Sequence, residues 1–516
     1  MALSPAFPTD ITLDSLRRDA KALKKAHAAR APGALERLKA HVPRADLGAL
    51  KHADFLHVIA REHDFESWPR LKLAAETIGM DRAARQQRLK VALFHGHGWA
   101  AEQLLDETPD LADGLFGLQC ALYDRAAVVS ALARDPGLAV QTFGPRRPIL
   151  HLAFSKWIKQ RPDLEADMLA VAEALKTAGA DVNDGYAAEA APDRALSALY
   201  GALGHSDNMV LARWFLDHRA DPNDGESLYH ATELGHHDGL RMLLAHGADP
   251  KGTNALLRAM DFDDVAAVRM LLEHGAQPDD FDDTDAVDVQ PWTIPALHHA
   301  ARRGSGVEMV ALLLEHGADP ARPYQGVSAY SYARVHGNRI VADAIEERGA
   351  AIPLTREEKL LAQAADGDLR PGIFIDPDKL PEAYRTILRQ ILHLPGRLDH
   401  IRRLVGLGVE YDGTDSEGLT PVQVAGWSGL PEVLEYFLSL RPDLSHVNGY
   451  GGTLLSTIIH GSENNLQQDG RDYLACLELA LRQGVALPRK MIGQAGREDV
   501  AAFLEAWAEA HPGQVV

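Results

Sequence analysis

Along most of the chain the apolar positions recur three and four residues apart, the spacing that lays a single apolar stripe along an α-helix. The stripes are short and come in pairs. One second-helix ending, Leu243-Leu244-Ala245-His246-Gly247-Ala248-Asp249-Pro250, returns as Leu271-Leu272-Glu273-His274-Gly275-Ala276-Gln277-Pro278 and as Leu313-Leu314-Glu315-His316-Gly317-Ala318-Asp319-Pro320. Weaker copies lie at Lys176–Asn183, Asp217–Asn223 and Glu347–Ala350. An apolar first helix precedes each copy, most completely at Pro295-Ala296-Leu297-His298-His299-Ala300-Ala301-Arg302-Arg303-Gly304 and again at Thr420-Pro421-Val422-Gln423-Val424-Ala425-Gly426-Trp427-Ser428-Gly429.

Each residue type in this unit has a physical reason. Ala300 and Ala301 let the first helix approach its neighbours closely, and the Leu-Leu pair of the second helix fills the space between units. Gly247, Gly275 and Gly317 supply the left-handed conformation that stops the second helix, and the following Asp and Pro open a turn. One such helix pair cannot bury its apolar face alone, so stability requires stacking. Both signatures together resemble the ankyrin repeat, with its Thr-Pro-Leu-His-x-Ala-Ala start and a period of about 33 residues. The resemblance implies an all-α ankyrin-repeat solenoid of stacked helix pairs, of bacterial type.

Residues 195–355 read as well-formed repeats, flanked by degenerate ankyrin-like repeats over 85–194 and 356–516. Between Ile352 and Tyr411 the spacing stretches, so Glu357–Asp366 and Leu380–Gly408 form either a lengthened pair or a break between stacks. Three insertions, Asn183–Asp193, Asp279–Trp292 and Asn448–Arg471, are expected in finger loops or between paired helices. Residues 1–84 form an N-terminal helical module similar to one often found ahead of bacterial ankyrin repeats; it is expected to cap the first repeat, with the Phe65-Glu66-Ser67-Trp68-Pro69 turn plugging its small core.

Composition narrows the function classes. A formal charge of −20 repels phosphate backbones and anionic lipid, so no nucleic-acid or membrane partner is expected. Arg17, Arg18, Lys21, Lys24, Lys25 and Arg30 run against that balance and are read as a solvated helix face. The two cysteines, Cys120 and Cys476, lie far apart in apolar helices, which excludes a disulfide framework and a Cys-x-x-Cys zinc site. No apolar window reaches the roughly 18 residues of a membrane span and no leader pattern opens the chain, so a cytoplasmic location is expected.

Alignment of the first helices exposes one unusual column. The place after the motif His, commonly apolar in ankyrin repeats, holds His230, Arg258, His299 and Tyr332 in successive repeats. One helical turn further on lie Glu233, Asp261, Arg302, Arg303 and His336, on the side that faces the groove in ankyrin stacks. Tyr229, Trp292 and Tyr324 add aromatic surface, and the whole forms a candidate ligand-binding band. It reads in two ways: charges that pair along a surface, or a pocket in which Arg forks grip a small anionic or polyhydroxylated ligand. If chemistry occurs there, His230 or His299 is the proton-transfer group, Glu233 or Asp261 orients it, and Arg258 or Arg302 holds developing negative charge. His298 is expected to serve structure, bonding the turn of its own repeat.

No phosphate loop, dinucleotide fingerprint, nucleophile elbow or His-Glu-x-x-His motif occurs. The acidic run Asp279, Asp280, Asp282, Asp283, Asp285 and Asp288 lacks the Gly and distal Glu of an EF-hand, and His95-Gly96-His97 and His236-His237 lack a third ligand. No metal and no cofactor are expected. The resemblance implies a scaffold that holds a protein partner in its concave groove and finger loops; the alternative is an enzyme or small-molecule binder working through the His/Arg/acid band.

Overall fold

The computed structural model describes residues 11–44, 50–188, 191–280, 294–465, 467 and 469–516. Its chain divides into two compact units, 1–249 and 250–516, and each is described by itself.

The first unit opens with four helices, α1 (Leu13–Ala28), α2 (Pro32–Ala40), α3 (His52–Glu62) and α4 (Trp68–Thr77). Thr12 caps α1 through a reciprocal bond with Ser15, and Pro32 starts α2 where its missing N–H costs nothing. Leu16, Leu23, Leu38, Phe55, Ile59 and Leu71 close a core of their own, with Trp68 buried in it and Phe65 packed against it, as the sequence pattern predicts.

Paired helices follow: α5 (Arg82–His95) with α6 (Gly98–Glu107), and α7 (Phe116–Ala121) with α8 (Arg125–Arg134). Next come α9 (Pro148–Ala153), the short α10 (Trp157–Gln160) and α11 (Glu165–Thr177). The insertion after Asn183 is an antiparallel β-hairpin, β1 (Gly185–Ala188) and β2 (Ala191–Ser197), with Tyr186 opposite Leu196. It leads into α12 (Ala198–Tyr200), continued by a π-turn over Gly201–His205, then α13 (Met209–Asp217), α14 (Ser227–Ala231) and α15 (Asp238–Ala245). First helices pack on first helices (α7 on α9, α9 on α12, α12 on α14) and second on second (α8 on α11, α11 on α13, α13 on α15), which is what stacking of pairs requires.

The second unit continues with α16 (Ala255–Asp261), α17 (Val265–Glu273), α18 (Ala296–Arg303) and α19 (Val307–Glu315). A two-stranded finger, β3 (Pro323–Tyr324) with β4 (Val327–Ser328), turns through Gln325 and Gly326, both at positive φ (47° and 79°), as a two-residue hairpin demands. Then come α20 (Ala329–His336), α21 (Arg339–Glu347), α22 (Arg356–Asp366), α23 (Glu382–Arg385), α24 (Ile387–Ile391) and α25 (Leu398–Leu407). The unit ends with α26 (Pro421–Trp427), α27 (Pro431–Ser439), α28 (Leu454–Asn464), α29 (Tyr473–Arg482), α30 (Arg489–Gln494) and α31 (Glu498–Ala510). Among the described residues the fold is all-α, with two short hairpins.

One expectation needs correction here, and one open alternative is decided. Asn448–Arg471 is not simply an inserted loop, since α28 occupies nearly half of it, packing on α26 and α29 through Leu454, Leu455 and Ile458. The stretched segment before Tyr411 is a lengthened pair: α22 packs on α25, and α23 and α24 are inserted between them. Of the acidic insertion only Asp279 and Asp280 belong to the described residues; Asp282, Asp283, Asp285, Asp288 and Trp292 lie outside them. Among the described residues no helix is long and apolar enough to cross a membrane. Both cysteines are buried thiols, and burial pushes Cys476 up to about 12.

Candidate functional site

Stop signals of the second helices fix where the fingers begin. His246, His274 and His316 each place Nδ1 2.7–2.9 Å from the carbonyl four residues earlier, capping their own helix. Each following Gly is left-handed (φ 88°, 106° and 90°). Finger roots then bond to the next finger: Asp221 N–H donates to Asn183 Oδ1 (2.7 Å) and Asp249 N–H to Asn223 Oδ1 (2.8 Å). In the second unit Asp319 N–H donates to Asp279 Oδ2 (2.6 Å) and Asp443 N–H to Asp412 Oδ2 (2.9 Å). The Asp/Asn-Pro positions of the motif are thus a row of latches that hold successive fingers in register.

The candidate band resolves into separate clusters. In the first unit His230 sits between two carboxylates, Nδ1 2.7 Å from Glu233 Oε2 and Nε2 3.3 Å from Glu226 Oε2, and packs against Tyr200 and Tyr229. Burial works against its charge, yet the two carboxylates hold its pKa up to about 9, so the ring is a cation at neutral pH. A group already protonated cannot accept a proton, which speaks against His230 as a general base.

In the second unit Asp261 gathers Arg258 (NH1 to Oδ2, 3.1 Å), His299 (Nε2 to Oδ1, 3.0 Å) and Arg303 (Nε to Oδ1, 3.2 Å). His299 Nδ1 accepts from Arg302 at 2.9 Å, so Nε2 carries the proton and donates to Asp261. Burial leads in pushing His299 down to about 4, and the arginines push it the same way against Asp261. Asp261 stays ionised despite its burial, because His299, Arg303 and Arg258 all favour the anion. Arg303 reaches further, donating to the Asp261 carbonyl (2.9 Å) and to His393 Nε2 (3.0 Å).

The neighbouring positions on α20 end on the same later segment of chain. Tyr332 stacks on His336 (ring centroids 3.9 Å apart), and both meet Gln390 Oε1, the phenol at 3.3 Å and the ring at 2.7 Å. Tyr384 lies 3.0 Å from Glu358 Oε1. His299, Tyr332 and His336 are therefore buried at 0–1% exposure beneath residues 384–393. This corrects the expectation that they line an open groove: the chain's own α23–α24 segment occupies the place above α18 and α20. Tyr324 packs edge-on to Tyr332 at the margin. His298 Nε2–H donates to Val327 O (3.2 Å) in the following finger, not in the turn of its own repeat.

Sequence reading missed one cluster entirely. In the first unit the Arg146 guanidinium lies over three rings, Tyr186 at 4.3 Å, Phe94 at 4.6 Å and Phe154 at 4.8 Å, tying the turn before α9 to the hairpin. These four residues share no motif, so only the fold joins them. Among the described residues no group of His, Cys, Asp and Glu stands close enough to hold a metal.

Residues 199–282 match a model of ankyrin repeats in three copies, and residues 256–314 match a second ankyrin-repeat model of many copies. Among solved structures, the crystal structure of the human ASB11 ankyrin repeat domain resembles the chain at 19% identity, over 50% of this chain and 96% of that one, with a TM-score of 0.21. No curated protein matches the chain.

Proposed function

Residues 199–314 are ankyrin repeats, and from that premise we propose that the chain is a scaffold that binds a protein partner along its finger edge. Ankyrin repeats generally serve protein interaction, which supports the class. The observation that carries the choice of surface is the row of latches: finger roots tied by Asn183, Asn223, Asp279 and Asp412 are fixed before a partner arrives, so binding loses less entropy at those roots. Above α18 and α20, by contrast, the inner face is taken by residues 384–393, which moves the partner's contacts from groove to fingers in those repeats.

Exposed apolar groups mark where such contacts concentrate. Tyr450 is 74% exposed on the finger before α28, its hydroxyl held 2.6 Å from Glu417, and Val447 beside it is 51% exposed. An anchored aromatic with an apolar neighbour is the common make-up of an interface hot spot. The net charge of −20 favours a partner with a basic surface, since complementary charge speeds encounter. Two buried, unpaired cysteines fit a reducing, cytoplasmic setting.

The test is affinity capture with the intact chain, followed by binding measurements on the purified partner. Tyr450→Ala is expected to weaken that partner by roughly tenfold or more, while His299→Asn leaves it unchanged. Equal affinity for wild type and Tyr450→Ala, together with loss in His299→Asn, places the interaction in the inner cluster and overturns the finger reading.

A further inference from the structure

The linker after α21 folds back against α20 and α22 and leaves an open pocket of about 430 Å³, away from both the finger latches and the His299 cluster. Its walls divide by chemistry. Ala351, Ile352, Pro353, Leu354 and Ala362 form one side. Tyr330, Arg334, Lys359 and Gln363 form the other. Tyr330 and Arg334 lie four residues apart on α20, and Lys359 and Gln363 four apart on α22, so each helix turns one face to the space.

The charge at this pocket runs against that of the chain as a whole, which carries 73 Asp and Glu to 53 Lys and Arg. No carboxylate is among the described residues that line it. Asp366, the carboxylate that pairs with Arg334, is shared between Arg334 (3.0 Å) and Arg339 (2.7 Å), so one anion answers two guanidiniums. Arg334 is mostly buried and its Nε has no hydrogen-bond partner, although NH1 reaches Tyr330 Oη at 3.3 Å. Lys359 is exposed and makes no ion pair among the described residues. A surplus of cation therefore stands opposite an aliphatic wall whose Ile352 is 48% exposed.

We propose that this pocket binds an aliphatic carboxylate, its acid group held by Lys359 and Arg334 and its branched chain laid on Ile352 and Leu354. The carboxylate is taken up because charge-assisted bonds to it add to apolar burial at one place. Two sources share this chemistry, a free aliphatic acid and the last residue of a polypeptide. The pocket stands apart from the finger edge, so its failure leaves the scaffold reading untouched.

Methyl NMR of the full chain, labelled at Ile and Leu, reads the site directly through Ile352 and Leu354. N-acetyl-leucine at millimolar concentration is expected to shift both methyl signals, and N-acetyl-leucinamide to bind roughly tenfold more weakly or worse. A hexapeptide ending in free leucine that binds more tightly than N-acetyl-leucine assigns the site to chain termini; equal binding assigns it to free acids, and either supports the proposal. Arg334→Gln strips Asp366 of a partner and risks the fold, so the exposed Lys359→Gln decides: it is expected to weaken the acid by roughly tenfold with the spectrum otherwise intact. Equal response to acid and amide, no response to either, or full binding by Lys359→Gln overturns the proposal.

Discussion

Arg219 stands where three later repeats place Gly247, Gly275 and Gly317, and it adopts the same left-handed backbone at φ 70°. The hydrogen bonds around it are the same as well, with Ala220 N–H donating to Phe215 O at 2.9 Å as Ala248 does to Leu243 at 3.0 Å. A β-carbon in that conformation costs roughly 1–2 kcal/mol, partly offset by the greater freedom glycine has when unfolded. Arg219→Gly is therefore expected to stabilise the first unit by about 1 kcal/mol, read as a higher urea midpoint at unchanged slope. A lower midpoint means that the Arg219 side chain contributes more than its backbone strains. Gly and Asp-Pro were legible in the sequence because their roles are local. The burial of His299 was not, because the residue that covers Arg303 beside it, His393, lies ninety positions later in the chain.

Among the elements, α23 and α24 depart furthest from a repeat. Their apolar residues Tyr384, Ile387, Leu388 and Ile391 are almost fully buried, which identifies the segment as a packed part of the second unit and not a surface loop. Sequence spacing marked the stretch as irregular between Ile352 and Tyr411, but nothing in a local pattern tells whether an extra helix lies over the stack or beside it. Likewise α28 escaped notice inside an apparent insertion, although Leu454, Leu455, Ile458 and Ile459 carry the helical spacing that would have revealed it. Ile391→Ala removes a side chain at 0% exposure and is expected to cost about 2–4 kcal/mol, by lost burial and the cavity it leaves. Amide exchange in α18 and α20 should rise with it, since α24 rests on α18 and Gln390 binds Tyr332 and His336. Unchanged exchange there, with the stability loss confined to α25, shows that the segment does not seal the inner helices.

Among the described residues the partly and fully buried imidazoles set a pH window for stability. In the second unit burial, helped by neighbouring arginines or histidines, pushes His298, His299 and His336 down to about 4 and His393 and His400 to about 3; in the first it pushes His205 to about 4. An unfolded chain protonates such rings near 6.5. Between pH 6.5 and 4 the unfolded state therefore binds protons that the folded state refuses, and stability falls as the pH falls. One fully buried ring displaced from 6.5 to about 4 accounts for a loss on the order of 3 kcal/mol. His230 acts in the opposite sense. Its folded value near 9 means that its contribution is complete below pH 6.5 and fades as the pH rises through 9. Thermal unfolding at stepped pH is expected to give an acid limb that drops below 6.5 and a shallower alkaline decline. His336→Gln, which keeps a polar group beside Gln390 but cannot take up a proton, should flatten the acid limb, and His230→Gln the alkaline one. An acid limb of undiminished slope in His336→Gln means that carboxylate protonation, and not the buried imidazoles, drives the loss.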